Sequence, residues 1–437
     1  MIKIIFNHDF RHTALNQLWR LVSGPALLIL IPFYLSAEMQ GYWYTFVSLA
    51  ALAIFADMGF SSILLQFSAH EFAHLKFESD KTLSGNHLHL VRIASLLRFA
   101  IKWSIAIGVI AFPIILLIGF ILLKQQSTTV HWILPWIIYG IASIFVFINS
   151  MLLSFIEGCN SVGEVQKIRF LISFMGVIST IIFLMLGFNL YALAVSLFIG
   201  ALSGTILIGY RYGGMLKQLY VLDSKSSYNW KNELLPLIGR YAISWASGYF
   251  IFYIFTPIAF HYYGAVEAGK AGLSIAICTA IFGISNIWIT IIIPKINILV
   301  AQKEYTTLNL IFKKHLIFAI ATYCLGIISL FILILFLGQS LPFADRLVSP
   351  FALVIIAIGW LMQIVINSLA IYIRAHKEEP FAIPSFLSAI YITSTTWLIA
   401  LYLPFEYFFI PFLSSYFLGI PWAIMLFRKY KKRYSAL

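Results

Sequence analysis

The chain has 437 residues, of which 61% are hydrophobic and only 10% charged, with a net charge of +13. Soluble domains carry about 25% charged residues, so this composition excludes a soluble globular fold and implies a polytopic membrane protein. The basic excess does not point to nucleic acid, because it is confined to alternate connections between apolar runs.

Before a polar break at Tyr210–Arg240 the apolar runs centre on about residues 14–35, 41–67, 101–123, 132–156, 168–187 and 189–210. After it they centre on about 237–262, 271–293, 315–337, 349–373, 381–403 and 405–427. Each run, as a helix rising 1.5 Å per residue, is long enough to cross roughly 30 Å of hydrocarbon. The expectation is an all-α polytopic protein of about twelve transmembrane helices. It divides into an N-terminal six-helix bundle (1–210), a cytoplasmic linker (211–236) and a C-terminal six-helix bundle with a basic tail (237–437). The first run is full length and another follows directly, so a cleaved leader is not expected.

Lys3, Arg11, Lys76, Lys81, Arg92, Arg98, Lys167, Arg169, Arg211, Lys217, Lys225, Lys231, Lys295, Lys303, Lys313, Lys314, Arg374 and Lys377 fall at alternate connections or their flanks. The tail adds Arg428, Lys429, Lys431, Lys432 and Arg433, whereas the opposite connections hold Lys124, Lys270 and Arg346. By the positive-inside rule both termini are cytoplasmic. Cys159, Cys278 and Cys324 are far apart and form no CxxC pair, so they read as packing residues.

In chain order, residues 7–17 form an amphipathic stretch suited to the inner interface. Arg20 follows within the first span, where it either snorkels to the headgroups or faces the bundle interior. Asp57, in Phe55-Ala56-Asp57-Met58-Gly59-Phe60-Ser61, is a carboxylate inside an apolar run and must pair, protonate or line water. It reads either as a structural site at a helix end near the cytoplasm or as an ion-coupling site.

His70-Glu71-Phe72-Ala73-His74 has the spacing of a zinc-binding HExxH helix, with His87 and His89 as possible third ligands. Its setting, the polar end of a span, argues for no metal and no catalytic role. Pro113 and Pro135 mark possible kinks, and Glu157-Gly158-Cys159-Asn160 forms an inner corner.

Features of the first half return in the second. Arg240 opens the seventh span as Arg20 opens the first, 220 positions earlier, and Asn149-Ser150 is answered by Asn367-Ser368, 218 positions on. Near-equal offsets imply a six-span unit used twice. Six is even, so the copies run parallel around an axis along the membrane normal, with a central cavity between them. Aromatic residues gather around span seven, and Tyr253 is a candidate for stacking on sugar rings, although interfacial aromatic belts account for such residues too.

The run Phe55-Ala56-Asp57-Met58-Gly59-Phe60-Ser61-Ser62, followed by Gln66-Phe67 and Ala69-His70-Glu71, resembles the second-span signature of the O-antigen and repeat-unit flippases (Wzx-like). These belong to the multidrug/oligosaccharidyl-lipid/polysaccharide exporter superfamily. Ala37-Glu38-Met39-Gln40-Gly41-Tyr42 and Ala265-Val266-Glu267-Ala268-Gly269 are similar to that family's short outer turns before spans two and eight. Asn149 through Gly158 and Leu190-Tyr191-Ala192-Leu193-Ala194 also fit the family style.

The resemblance implies a non-enzymatic flippase of the bacterial cytoplasmic (inner) membrane, without a cofactor, working by alternating access. Its cargo would be a polyprenyl-pyrophosphate-linked oligosaccharide, and its surroundings membrane lipids and polysaccharide assembly proteins. Arg20, Arg240, Asn149, Asn367 and Tyr253 are the substrate-binding candidates and Asp57 the ion-coupling candidate. A multidrug or small-solute antiporter of the same superfamily would share the architecture. A membrane glycosyltransferase or polymerase is less favoured, because the outer connections are short, and a metalloprotease would rest on His70, Glu71 and His74 alone.

Overall fold

The computed structural model describes residues 8–79, 81–126, 129–222, 228–337, 343–376 and 380–435. Within them, residues 8–10, 240, 241, 244, 301, 434 and 435 are described by backbone alone. The first half contains α1 (His8–Tyr34), α2 (Ala37–Ala50), a 3-10 turn (Ala51–Ala53), α3 (Ile54–Asp57) and α4 (Phe60–Phe72). A short antiparallel hairpin, β1 (Leu75–Phe77) and β2 (Leu83–Gly85), precedes α5 (His87–Leu123), α6 (Ile133–Gly158), α7 (Val162–Met185) and α8 (Leu190–Val221). The second half contains α9 (Lys231–Phe252), α10 (Phe255–Tyr263), α11 (Ala265–Thr290), α12 (Ile293–Ala301), α13 (Tyr305–Leu337), α14 (Pro350–Arg374), α15 (Ala382–Tyr402) and α16 (Ile410–Ser435).

Among the described residues, eleven helical stretches are long and apolar enough to cross a membrane. The seventh expected span does not qualify by itself. It is divided into α9 and the nine-residue α10 at Tyr253–Ile254, and α9 opens with Lys231-Asn232-Glu233 before reaching Arg240. At the break the Tyr253 and Ile254 amides both donate to the Tyr249 carbonyl, so one residue is gained in the turn. The expected linker is also shorter than its sequence bounds, because α8 continues to Val221.

The chain forms two compact units, Met1–Leu27 with Phe46–Ala246, and Leu28–Thr45 with Ser247–Leu437. In the first, α4 packs on α5 and α6, α5 on α6, and α8 on both α6 and α7. In the second, α11 packs on α13 and α14, α13 on α14, and α16 on both α14 and α15. This shared succession of neighbours is the internal repeat, and the fold is all-helical and multi-pass.

The first unit is cored by Phe60, Ile63 and Leu64 of α4, Leu96 and Leu97 of α5, Phe155 and Ile156 of α6, and Met215 and Leu219 of α8. At the crossing of α4 and α6 a Cβ on Gly158 would stand 1.9 Å from Ser68 Oγ and 2.5 Å from the Leu65 carbonyl oxygen. Only glycine lets the helices approach so closely. Gly158→Val is expected to lower the thermal unfolding midpoint of the purified protein, at a cost of about 1–3 kcal/mol. An unchanged midpoint would contradict this packing.

Candidate functional site

Helix α1 has three distinct faces. At 3.6 residues per turn, Leu15, Leu18, Val22 and Ile29 share one exposed apolar stripe. Asn16, Trp19 and Ser23 share a second, turned to α7: Asn16 Nδ2 donates to Gln166 Oε1 at 2.9 Å and Trp19 Nε1 to Ser173 Oγ at 3.1 Å. The Trp19 ring rests on Phe174, with centroids 5.1 Å apart. Thr13, Gln17, Arg20 and Gly24 occupy the third face, roughly 160° around the helix from the apolar stripe.

Arg20 is exposed on this polar face and makes no hydrogen bond or ion pair among the described residues. It lies about 18 Å along the axis from His8 and about 21 Å from Tyr34. A snorkelling arginine lays its stem on apolar surface at a helix end. Arg20 lies nine residues, about 14 Å, inside the stretch long and apolar enough to cross a membrane, which begins at Arg11.

Asp57 sits at a break in the second membrane-spanning stretch. After α3 the chain passes through two left-handed residues, Met58 (φ 46°) and Gly59 (φ 76°), and restarts as α4. The Asp57 carboxylate then serves the new N-terminus: its Oδ1 accepts from the Ser61 amide at 3.1 Å and the Ser61 hydroxyl at 2.5 Å. Such a carboxylate satisfies amides that no helical carbonyl reaches and complements the helix dipole.

The sequence placed Asp57 near the inner end of its span. In the structure the stretch apolar enough to cross a membrane, Ala37–Asp57, ends at Asp57, and α4 resumes beyond the break for thirteen residues. Around the break, Ala56 packs with Phe112 of α5 and Phe147 of α6.

The remaining candidates are distributed through both units. Asn149 is buried and holds α6 to α8: its Nδ2 donates to the Ala201 carbonyl at 2.7 Å, and its Oδ1 accepts from Thr205 Oγ1 at 3.0 Å. Asn367 on α14 instead donates to Asn286 Oδ1 on α11 at 2.9 Å. Tyr253 occupies the break between α9 and α10, 44% exposed, with its ring stacked on Tyr249 at 6.2 Å. The side chain of Arg240 lies outside the described residues. No hydrogen bond joins any two of Arg20, Asp57, Asn149, Asn367 and Tyr253 among the described residues.

Lys102 and Trp103 were missed by the sequence reading. The third apolar run begins near residue 101, but α5 begins at His87, capped by the Asn86 side chain accepting from the Leu88 amide. Lys102 is therefore about 22 Å into the helix, and it is exposed. Next to it, Trp103 packs on Phe60 at 6.1 Å with its Nε1 buried and unbonded, as is the Ser104 hydroxyl. A lysine at the edge of an apolar run was the available signal.

The HExxH residues take up a different arrangement from a metal-binding helix. Helix α4 ends at Phe72, so His70 and His74 do not share one helical face. Glu71 is buried, and its Oε2 meets His89 Nδ1 at 2.7 Å while its Oε1 meets Arg92 Nε at 3.1 Å. His74 stacks on His89, with centroids 3.9 Å apart. Among the described residues no group of three or more His, Cys, Asp or Glu side chains could hold a metal ion.

Arg92 also lies over the rings of Tyr228 (4.4 Å) and Trp230 (5.2 Å), and Trp230 Nε1 donates to the Arg92 carbonyl at 3.1 Å. The Tyr228 hydroxyl donates to Glu233, which raises its pKa above the ordinary phenol range, with burial adding to the effect. Glu71 thus organises the attachment of the segment before α9 to α5. Glu71→Gln is expected to cost about 1.5–3 kcal/mol of stability by leaving Arg92 without its carboxylate. Thermal unfolding of the variant checks this, and an unchanged midpoint would show the pair to be idle.

No family model matches the chain, and no curated protein matches it in sequence. Solved structures do match along its whole length. An inward-facing multidrug resistance MATE family transporter of the MOP superfamily superposes with a TM-score of 0.61, at 14% identity over 95% of this chain and 96% of that one. The lipid II flippase MurJ, in an inward closed conformation, gives a TM-score of 0.61 at 12% identity over 97% of this chain and 90% of that one. A mutant MATE transporter of Vibrio cholerae gives 0.53 at 12% identity over 98% and 97%. The chain therefore has the two-bundle fold shared by these MOP-superfamily structures.

Proposed function

We propose that the protein is a flippase that moves a polyprenyl-pyrophosphate-linked oligosaccharide across the bacterial cytoplasmic membrane by alternating access. The observation that carries this reading is Arg20, a guanidinium on the polar face of α1 that makes no hydrogen bond or ion pair among the described residues. Arginine remains charged at low dielectric and offers a planar set of donors to phosphate oxygens, so an unpaired one is suited to an anionic headgroup. Likeness of fold to MurJ, a lipid II flippase, supports a lipid-linked glycan as the cargo class.

In this reading Arg240 supplies the equivalent charge in the second repeat, Tyr253 stacks on the glycan, and Asn149 and Asn367 steady the helices that frame the path. In the same reading both termini are cytoplasmic, which the basic connections support through the positive-inside rule. Polysaccharide assembly proteins are its expected partners, and it carries out transport rather than bond chemistry.

The direct test is flux of lipid-linked oligosaccharide between leaflets of reconstituted vesicles. Movement well above protein-free vesicles supports the reading. Flux at the protein-free level, together with efflux of small organic cations, would replace it with the antiporter reading, which the likeness to MATE multidrug transporters favours. Terminal tags read from each side of inverted membrane vesicles check the orientation: both are expected on the cytoplasmic side.

A further inference from the structure

Three helix ends of the second unit are locked together by aromatic side chains. Phe312 of α13, Tyr372 of α14 and Phe427 of α16 form a triangle with ring centroids 5.0, 4.9 and 6.2 Å apart. Tyr372 Oη adds a 3.1 Å hydrogen bond to Asn309 of α13. These contacts fix the three helices in register, so residues adjacent to each aromatic lie at one height.

Those neighbours are cations. Lys313 and Lys314 follow Phe312, Arg374 lies two residues beyond Tyr372, and Arg428 and Lys429 follow Phe427. All five are exposed and lie within about 3 Å of the aromatic level along their helix axes. Lys431, Lys432 and Arg433 continue the charge along the end of α16. Within their bounds α13, α14 and α16 contain no Asp or Glu, while Glu304 directly precedes α13 and Glu378 and Glu379 follow α14 in the sequence. On the hydrocarbon side the same helices expose Ile317, Leu418 and Met425, which are 52%, 80% and 60% accessible.

We infer that this level is a binding belt for anionic diacyl phospholipids of the inner leaflet, with headgroups on the three-helix cationic ring and acyl chains on the apolar residues beyond it. Charge placement alone sets topology and requires no bound lipid. Here, however, three helices separated in sequence bring their charges to one rigid level, directly above exposed apolar surface. A diacyl lipid with a negative headgroup matches both parts, whereas free phosphate matches only one. Each basic residue near such a surface adds about 1 kcal/mol of attraction, or roughly fivefold in affinity.

The test compares lipid retention by the purified full-length protein, using native mass spectrometry, after addition of phosphatidylglycerol or phosphatidylcholine at about 0.15 M salt. Thermal unfolding with each lipid or with inorganic phosphate is measured in parallel. Wild type is expected to retain phosphatidylglycerol at least roughly tenfold better than phosphatidylcholine. The combined Lys313→Gln, Lys314→Gln, Arg428→Gln and Lys429→Gln variant is expected to reduce that preference to within about twofold.

Equal retention of both lipids by wild type would overturn the proposal, as would an undiminished preference in the variant. So would stabilisation by inorganic phosphate equal to that by phosphatidylglycerol. If the fourfold variant does not insert, the Lys313→Gln/Lys314→Gln and Arg428→Gln/Lys429→Gln proteins replace it. Each should lose part of the preference, and wild-type behaviour in both would reject the belt.

Discussion

Arg20→Gln is expected to lower lipid-linked oligosaccharide flux roughly 10- to 100-fold, the cost of about 1.5–3 kcal/mol for losing a hydrogen bond to a charged group. Arg20→Lys should fall less, because the charge remains while the planar multi-donor contact is lost. Stability is expected to change little in either variant, since Arg20 makes no hydrogen bond or ion pair among the described residues.

A purely anchoring role predicts the reverse for Lys, which snorkels as well as arginine and would transport at the wild-type rate. The measurement is flux normalised to correctly inserted protein. Unchanged flux in Arg20→Gln would remove Arg20 from the site while leaving the transporter reading intact. Leu18→Gln, on the exposed apolar stripe of the same helix, is the control for general damage to α1. A loss in that variant equal to the loss in Arg20→Gln would mean that the helix, and not the guanidinium, was being measured.

The three faces of α1 were already legible in the spacing of Leu15, Leu18 and Val22 against Gln17 and Arg20, because a helix converts sequence offset directly into direction. The overall class was equally legible, since chain length and apolar runs translate into spans without knowledge of packing. What escaped the sequence were the interruptions. Nothing in Phe55-Ala56-Asp57-Met58-Gly59 announces two successive left-handed residues, because glycine is tolerated inside membrane helices and methionine rarely adopts that conformation. The break at Tyr253 divided a span that read as continuous, although Pro257, which has no N–H and whose ring crowds the carbonyl four residues back, stands in the sequence just beyond it.

The spacing of His70 and His74 is misleading for a related reason. Spacing of four suggests one face only while the helix lasts, and α4 stops at Phe72, between the two histidines. Trp230, fully buried against α5, lay in what read as a polar linker, where only its tertiary partners reveal its role.

Asp57→Ala is expected to lower the thermal unfolding midpoint, with a loss of about 1–2 kcal/mol, because it removes the acceptor for the Ser61 amide and hydroxyl at the start of α4. The break lies within an apolar stretch, where water is a poor substitute for that acceptor. Ser61→Ala removes one of the two bonds and should cost less. Asp57→Asn is the informative variant, since its amide oxygen still accepts from Ser61 while its charge is gone. If Asp57 works as a helix-end group, Asp57→Asn stays close to wild type in stability and in flux, with or without an imposed proton or sodium gradient. If Asp57 carries the coupling ion, Asp57→Asn keeps its stability yet loses any gradient-driven part of the flux. The carboxylate is already engaged with Ser61, and no cationic partner stands beside it among the described residues, so the first outcome is the one expected. Loss of gradient-driven flux in a stable Asp57→Asn protein would reassign the residue from holding the broken helix to driving transport.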